Sequence, residues 1–188
     1  MSSVNAPLPA PTSTQARPEP GANTDVGPAV AGLLEELRPQ AEDAAAELRV
    51  DPIPDCVVAS SPGVLVVILS NLVRNALKYL GDASERVVVL RVRPRRASVS
   101  FEVEDTGPGV PAELGDRIFE PYIRGRRAST TRPGIGLGLA TVKRLVVAHG
   151  GTLGTRRGSL GGALFWVELP RAEATEHPRL PAESVMRS

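Results

Sequence analysis

Two glycine-rich turns constrain this chain more than any other feature of its sequence. The first, Asp-Thr-Gly-Pro-Gly at residues 105–109, follows a strand-like stretch that ends on a carboxylate. The second, Gly-Ile-Gly-Leu-Gly at residues 134–138, leads into a helix-like stretch. Glycine lets the backbone approach a ligand closely, and a helix N-terminus presents unpaired N–H groups to an anion. The pair is typical of a nucleotide-binding site. Most glycine-rich turns bind no ligand, however, so other features of the sequence are needed to support this interpretation.

Composition limits the class of protein. The chain has 188 residues, with 22 basic and 21 acidic side chains and a formal net charge of +1. This length suffices for one domain with a sizeable core, and the near-neutral balance predicts neither nucleic acid nor a membrane surface as a partner. A single cysteine, Cys56, excludes a disulfide framework and fits a reducing compartment. The sequence has no apolar run of membrane-spanning length and no signal pattern, which predicts a cytoplasmic protein.

Both ends of the chain are rich in proline and poor in residues that a core could bury. Residues 1–28 combine repeated prolines with Ala, Ser and Thr, and residues 171–188 repeat the pattern. Such composition is typical of disordered tails or linkers, because it offers too little apolar area to offset the entropy of the chain. We therefore predict one folded unit at residues 29–170.

Apolar periodicity organises the first part of that unit. Apolar side chains at helical spacing from Val30 predict a helix that breaks at Pro39 and resumes over residues 41–48. Short strands are then predicted at residues 48–54 and 56–59.

The clearest helix of the sequence covers residues 62–80. A serine pair and a proline supply its N-terminus, and a glycine ends the run. On its polar side, Asn71, Asn75 and Lys78 stand at i, i+4 and i+7, so they project together. Two carboxamides and an ammonium in line can offer an oxygen to Mg²⁺ and a positive charge to phosphate. The stripe also fits a solvated polar face, although asparagine is a mediocre helix former for that purpose.

Two strands joined by a basic turn follow, at residues 87–93 and 98–104. In the second strand apolar residues occupy every other position, and the same period places Asp105 on the inward face. A carboxylate there needs a partner, because an unpaired buried charge is expensive. A ligand amino group can supply the partner, and so can the N–H groups of an ordinary Asx-type turn. The sequence leaves both possibilities open.

Residues 110–133 form a long charged stretch without clear regular structure. A loop of this kind is typical of a functional lid or of disorder. Phe119 lies in its apolar middle, and Arg124 follows closely on that anchor. We expect Arg124 to reach a phosphate, because a guanidinium suits multidentate oxyanions, whereas the other arginines fit a solvated basic loop.

The second glycine-rich turn opens a predicted helix at residues 139–148. Its free N–H groups and the positive end of its dipole favour an anion. His149 precedes two glycines and is therefore interpreted as the terminal residue of this helix rather than as a catalytic base. Strands at residues 152–155 and 163–169 close the unit.

Four short motifs occur in an order that resembles one protein family. Residues 71–79 (Asn-Leu-Val-Arg-Asn-Ala-Leu-Lys-Tyr) resemble the N box of the histidine-kinase branch of the GHKL ATPases, and residues 105–109 resemble their G1 box. Residues 119–122 (Phe-Glu-Pro-Tyr) resemble the F box, and residues 134–139 resemble the G2 box. A closing glycine turn and strand at residues 161–165 match more loosely.

The resemblance spans residues 55–170 and is to the catalytic and ATP-binding domain of bacterial two-component sensor histidine kinases. It implies an α+β fold, a two-layer α/β sandwich in which a mixed β-sheet packs on helices. It implies ATP and Mg²⁺ as cofactors, and transfer of the γ-phosphoryl group of ATP to a histidine by positioning and charge neutralisation. The implied partner is a histidine phosphoacceptor domain, a helical dimerisation hairpin, and through it a response regulator.

The same resemblance implies residue roles. Asp105 would accept from the adenine amino group, which agrees with its inward register. Asn75, with help from Asn71, would hold Mg²⁺, while Lys78 and Arg124 would contact phosphates. Tyr79 would contact the base, and Phe119 would anchor the F box. The turns at the two ends of the lid would complete the nucleotide site with Gly107, Gly109, Gly134, Gly136, Leu137 and Gly138.

The sequence departs from a complete histidine kinase in its histidines. The family's acceptor histidine lies in a helical hairpin, usually before an acidic residue, whereas His149 precedes Gly150 and His177 precedes Pro178. We therefore expect the chain to phosphorylate a separate or missing domain and not to autophosphorylate alone. Two alternatives stay open: a stand-alone serine/threonine kinase of the anti-sigma-factor type, and a nucleotide-binding regulatory module without transfer activity. A topoisomerase-type ATPase fits less well, because no basic face is evident.

Overall fold

The central element of the fold is a mixed β-sheet. The computed structural model describes residues 22–123 and 136–172. The strands in these ranges are β1 (Thr24–Asp25), β2 (Glu47–Val50), β3 (Val57–Val58), β4 (Val87–Pro94), β5 (Ser98–Asp105), β6 (Thr152–Arg157) and β7 (Ala163–Pro170). Five of them form the main sheet in the order β2-β4-β5-β7-β6, and β1 pairs with β3 separately. In the main sheet β2 is parallel to β4, and the other neighbours are antiparallel.

Helices cover one face of the main sheet and form the second layer. They are α1 (Val26–Asp43), α2 (Pro62–Lys78), α3 (Gly138–Ala148) and a short 3₁₀ helix, Gly115–Phe119. Alternate strand residues such as Leu90, Phe101 and Val167 are fully buried in a core shared with these helices. This arrangement confirms the predicted α+β sandwich. Within the described ranges, no helix combines the length and the apolar character that crossing a membrane requires.

Helix α2 begins at Pro62, as its sequence predicts, and ends at Lys78, two residues before the predicted end. The Ser61 hydroxyl accepts a hydrogen bond from the Val64 N–H at 3.4 Å, and a proline occupies the first turn. Leu65 and Leu72 on its apolar face are fully buried. Gly81 then takes a positive φ of 61°, a conformation that glycine adopts without strain. The predicted helix is therefore confirmed over Pro62–Lys78, and its polar side carries Asn71, Asn75 and Lys78.

Helix α1 differs from the prediction, because it runs unbroken through Pro39. A proline inside a helix costs roughly 3 kcal/mol, since it removes one hydrogen bond and crowds the preceding turn. Pro39 lies on the exposed side of α1, while Leu33 and Leu37 on the opposite side are buried against the core. Packing of this apolar face outweighs the local cost of the proline.

The predicted continuation of that helix over residues 41–48 holds only to Asp43 and is wrong for residues 44–48. The helix ends at Asp43, Ala45 takes a positive φ of 47°, and β2 pairs in parallel with residues 87–90 of β4. Pairing at the edge of the sheet therefore overrides the helix propensity of these residues. The strands predicted at residues 48–54 and 56–59 are present, but shorter.

Ordered structure also begins before the predicted boundary at residue 29. Strand β1 and the first turn of α1 precede it, and Val26 is completely buried. The N-terminal tail is therefore shorter than predicted, while the disorder of residues 1–21 and 173–188 stays a prediction.

We expect Pro39→Ala to raise the free energy of unfolding by about 1–3 kcal/mol, because alanine restores the missing helical hydrogen bond on an exposed surface. Chemical unfolding in urea measures the difference. Arg38→Ala, at the neighbouring exposed position, is the control and should change stability by less than about 0.5 kcal/mol. A destabilised Pro39→Ala variant would contradict the assignment of a local free-energy cost to Pro39.

Candidate functional site

Asp105 ends β5 and points into the fold, as its alternation with buried apolar residues predicts. Its side chain is only 3% exposed. One oxygen, Oδ1, accepts hydrogen bonds from the Gly107 N–H at 2.9 Å and from the Ala163 N–H at 3.1 Å. In residues 22–123 and 136–172, no hydrogen bond goes to the other oxygen, Oδ2. The Gly107 contact is the predicted Asx-type turn, whereas the Ala163 contact comes from the neighbouring strand β7.

A negative charge on this buried carboxylate is unfavourable unless hydrogen-bond donors stabilise it. Burial raises the pKa of Asp105 above its ordinary value, the N–H groups of Ala163 and Gly107 oppose that rise, and the charge of Glu104 adds to it. The pKa is raised on balance. A further hydrogen-bond donor would therefore stabilise the charged form, and a ligand amino group at Oδ2 is such a donor.

The glycine turn after Asp105 lies directly against the end of α2. A Cβ atom on Gly107 would lie 2.5 Å from the Tyr79 carbonyl oxygen and 3.2 Å from the Leu80 Cα. Gly109 takes a positive φ of 81°. These two positions need glycine for different reasons, close approach at Gly107 and a left-handed conformation at Gly109. The turn thereby brings Asp105 close to the C-terminal end of the polar stripe.

The polar stripe of α2 is half-buried along its length. Asn71, Asn75 and Lys78 are each partly exposed on one side of the helix. The Asn71 amide Nδ2 donates to the Val67 carbonyl at 2.8 Å, and its oxygen, Oδ1, lies beside Gly138 at the start of α3. The Lys78 ammonium lies 5.2 Å from the centre of the Tyr79 ring, within cation–π range. The stripe therefore presents amide oxygens and a cation in one line.

Helix α3 begins against the other end of this stripe. A Cβ atom on Gly138 would lie 2.8 Å from Asn71 Oδ1, so a side chain at this position would displace the Asn71 amide. Leu137 precedes the helix without capping it through its side chain and is 40% exposed. Gly136 takes a positive φ of 74°, and its carbonyl accepts from the Tyr122 N–H at 3.2 Å. The uncapped N-terminus of α3 thus meets the amide side chain of Asn71, where an anion would be favoured.

Phe119 occupies a different environment from the other predicted site residues. It is 3% exposed, and its ring packs edge-to-face on Phe165 with the ring centres 6.1 Å apart. This placement favours an anchor for the segment that follows over direct contact with a nucleotide. Arg124 and Gly134 lie outside the described residues, so their roles stay predictions.

His149 lies at the C-terminus of α3, as predicted. Its Nδ1 lies 2.8 Å from the Leu145 carbonyl oxygen, and Gly150 takes a positive φ of 69°. The histidine ends the helix and makes a local hydrogen bond there.

The sequence did not reveal how β7 contributes to the site. The Ala163 N–H binds Asp105, and a Cβ atom on Gly162 would overlap the Asp105 carbonyl and its Oδ1. The two glycines before an apolar strand were visible in the sequence as a signal, but no role was assigned to them. Glu104, fully buried beside Asp105, was also missed, because alternation places it on the face of the sheet without helices.

In the described parts of the chain, His, Cys, Asp and Glu side chains form no group of three that could hold a metal ion. A cavity of about 420 Å³ opens beside the end of the stripe and includes Arg74, Lys78 and Arg86 in its lining. Its lining does not include Asp105, so the cavity lies apart from the end of the site that holds this carboxylate.

Comparison with known proteins identifies the family that the four sequence motifs resemble. Residues 61–173 match the family described as histidine kinase-, DNA gyrase B-, and HSP90-like ATPase. The sensor histidine kinase AtsR of Burkholderia thailandensis is 37% identical over 150 residues, which are 78% of this chain and 25% of AtsR. The chain thus spans about a quarter of this curated relative.

Two solved structures share the fold. The mycobacterial sensor histidine kinase MprB superposes with a TM-score of 0.69 at 26% identity, covering 79% of this chain and 97% of the MprB chain. Full-length ShkA, solved in complex with AMPPNP, superposes with a TM-score of 0.67 at 34% identity, covering 81% of this chain and 31% of ShkA. The match therefore extends well beyond the short motifs.

Proposed function

Because the chain belongs to the family of histidine kinase-, DNA gyrase B- and HSP90-like ATPases, we propose that it is the ATP-binding catalytic domain of a sensor histidine kinase. It binds ATP with Mg²⁺ and transfers the γ-phosphoryl group to a histidine on a phosphoacceptor domain outside this chain. A response regulator receives the phosphoryl group from that domain. The observation that carries this proposal is the one-sided hydrogen bonding of Asp105.

Asp105 recognises the base. Both backbone donors are on Oδ1, which leaves Oδ2 as an acceptor that faces no donor within the described ranges. The amino group of adenine is a donor and matches this oxygen, whereas guanine carries an oxygen at the corresponding position. The tight turn at Gly107 lies next to Asp105 and against the backbone carbonyl of Tyr79. The ring of Tyr79 supplies the surface on which the base rests, which is the role that the family resemblance implies.

The phosphates lie along the polar stripe of α2 towards the N-terminus of α3. Lys78 supplies a positive charge at one end, and the uncapped first turn of α3 supplies N–H groups and a dipole at the other. Arg124 adds a second cation from the lid, which is the role that the family resemblance implies. Charge neutralisation at both ends is the main contribution that a protein makes to phosphoryl transfer.

The donor set on α2 fits a magnesium ion that arrives with the nucleotide. Mg²⁺ prefers oxygen ligands and usually keeps waters and substrate phosphates in its coordination shell, so one or two protein oxygens suffice. Asn75 offers such an oxygen, since its side chain makes no hydrogen bond within residues 22–123 and 136–172, and Asn71 lies one turn away. When bound, the ion would neutralise charge on the transferred group.

Transfer of phosphate to a separate histidine domain tests the proposal. The chain is incubated with γ-labelled ATP, Mg²⁺ and a helical-hairpin domain that carries a histidine, and acid-labile label on the hairpin is expected. A hairpin whose histidine is replaced by glutamine is the control. Acid-stable label would indicate a serine/threonine kinase, and nucleotide binding without transfer would indicate a regulatory module; either result overturns the proposed reaction.

In the same assay, we expect Asn75→Ala to lower the transfer rate by about 10- to 100-fold, as is typical when support of a bound metal is lost. Its affinity for ATP in the absence of Mg²⁺ should change little. Arg74→Ala is a matched control, because Arg74 lies on the same helix but contacts Glu36 and Gln40 of α1. Equal losses in both variants would argue against a specific role of Asn75.

A further inference from the structure

Glu104 is a buried carboxylate that the proposed mechanism does not use. It lies on the face of the sheet opposite the helices and is 1% exposed. Its Oε1 accepts hydrogen bonds from the Leu160 N–H at 2.7 Å and from the Ser159 hydroxyl at 2.8 Å, and its Oε2 accepts from Arg91. Two of these three donors belong to the turn between β6 and β7.

Glu104 and Asp105 therefore hold the same turn from its two sides. Glu104 binds Ser159 and Leu160 near the start of the turn, and Asp105 binds the Ala163 N–H where the turn ends. The two carboxylates are consecutive in β5, so alternation directs them to opposite faces of the sheet. Any shift of the turn changes the contacts of both.

The close contacts with Glu104 and Asp105 leave the turn almost no room to move. A Cβ atom on Gly158 would lie 2.5 Å from Glu104 Oε1 and 2.8 Å from its Cγ. At the other end, a Cβ atom on Gly162 would lie 2.7 Å from the Gly107 nitrogen. The turn thus depends on glycine at both points of contact, and the two carboxylates fix its position relative to β5.

Glu104 is also held in its charged form. Burial raises the pKa of this carboxyl, but the Leu160 N–H, Arg91 and Ser159 together outweigh burial and leave the pKa below its ordinary value. An ionised carboxylate accepts strong hydrogen bonds from the turn, which a neutral carboxyl would make less well. The contact between Glu104 and the turn is therefore maintained at neutral pH.

We propose that Glu104 is a positioning residue that sets the preference of this site for adenine over guanine. By holding the turn between β6 and β7, Glu104 keeps the Ala163 N–H on Oδ1 of Asp105 and leaves Oδ2 as the acceptor for the base. The inference rests on the proposed function, since it assigns Asp105 to the base.

The hydrogen-bonding groups of adenine and guanine explain why the position of this turn affects the preference for one base over the other. An ionised carboxylate only accepts hydrogen bonds, so it matches the amino group of adenine and opposes the oxygen of guanine. Without the Ala163 N–H, burial of Asp105 would be less well compensated, and the carboxyl would take up a proton more readily. A protonated carboxyl can donate to guanine, so discrimination would fall.

Glu104→Ala is the direct test. Titration calorimetry with Mg-ATP and Mg-GTP gives the ratio of the two dissociation constants, Kd for GTP divided by Kd for ATP. We expect this ratio to fall by about 3- to 10-fold, as for the loss of one hydrogen bond in the site. Glu104→Gln keeps an acceptor at Oε1 and should restore most of the ratio.

Glu102→Ala is the matched control. Glu102 lies on the same face of β5 and pairs with Arg93 and Arg156, but it makes no contact with the turn in the described structure. The control should lose stability without changing the ratio. Ser159→Ala, which removes a single contact, should lower the ratio by about 2-fold and covers the case in which Glu104→Ala does not fold.

The outcomes separate this inference from the proposed function. An unchanged ratio in both Glu104→Ala and Ser159→Ala, beside a parent that binds ATP and an Asp105→Asn variant that does not, overturns only the role of Glu104. A parent that does not bind Mg-ATP overturns both. A lowered ratio in the Glu104 and Ser159 variants, with Glu102→Ala unchanged, supports the positioning role.

Discussion

Asp105→Asn should lower the affinity for ATP by about 1,000-fold or more while the fold is kept. The two backbone donors select which atom of the new amide lies where, because only the amide oxygen can accept from Gly107 and Ala163. The amide nitrogen then takes the place of Oδ2 and presents a donor to the amino group of adenine. Sites built around a buried hydrogen bond reject a mismatched partner by large factors.

The same substitution should not destabilise the protein. Because burial raises the pKa of Asp105, the folded state binds the proton more tightly than the unfolded state, whose pKa is about 3.9. The free energy of unfolding of the parent therefore falls as the pH rises from about 4 through the folded-state pKa, and the cost remains above that window. Asparagine has no such cost, so the variant should be at least as stable as the parent at neutral pH, with the difference vanishing below about pH 4.

Calorimetric titration with Mg-ATP and Mg-GTP, together with urea unfolding at several pH values, measures both effects. Asp116→Asn, an exposed amide substitution, is the control and should change neither quantity. An Asp105→Asn variant that binds ATP as tightly as the parent would refute base recognition by Asp105. A variant that gains affinity for GTP would support it further, since the amide donor matches the oxygen of guanine.

Gly162→Ala should reduce the free energy of unfolding by about 3 kcal/mol or more and abolish nucleotide binding. The added Cβ atom would overlap the Asp105 carbonyl oxygen and Oδ1 and would lie 2.7 Å from the Gly107 nitrogen. Two of these three atoms belong to the backbone of a buried strand and turn, so no side-chain rotation relieves the contact. Overpacking of this kind forces backbone shifts and is among the costlier single changes.

Gly32→Ala is the matched control for this prediction. Gly32 lies inside α1 on the exposed side, and a Cβ atom there would meet nothing within 4 Å. Alanine should raise the free energy of unfolding by about 0.5–1 kcal/mol at this position, because it restricts the unfolded chain and favours the helix. Urea unfolding compares the two. Similar stability of parent and Gly162→Ala would show that the turn between β6 and β7 yields, which the close contacts with Asp105 and Glu104 argue against.

Local patterns predicted the parts of the site whose geometry is local. Asn71, Asn75 and Lys78 share one side of α2 because helical spacing alone puts them there, and the structure confirms it. The inward direction of Asp105 follows from strand alternation in the same way. Four motifs in order were enough to predict the family, and the comparison over residues 61–173 confirms it.

Other features depend on residues that are distant in the sequence. Residues 41–48 have good helix formers, yet the helix ends at Asp43 and β2 begins at Glu47, because an edge of the sheet is available beside β4. Pro39 stays inside α1 because the opposite side of that helix is buried in the core. In both cases tertiary packing contributes more free energy than the local preference of a few residues.

Asp105 illustrates the division between the two sources of information. The sequence by itself determined that a carboxylate ends an inward-facing strand before a glycine turn, since a period of two and a turn are local properties. Only the tertiary structure decided which of its oxygens is left for a ligand. That depends on the Ala163 N–H, 58 positions away, which the adjacency of β5 and β7 brings within 3.1 Å. Hydrogen-bond direction is set by neighbours in space, and the order of strands in the sheet selects those neighbours.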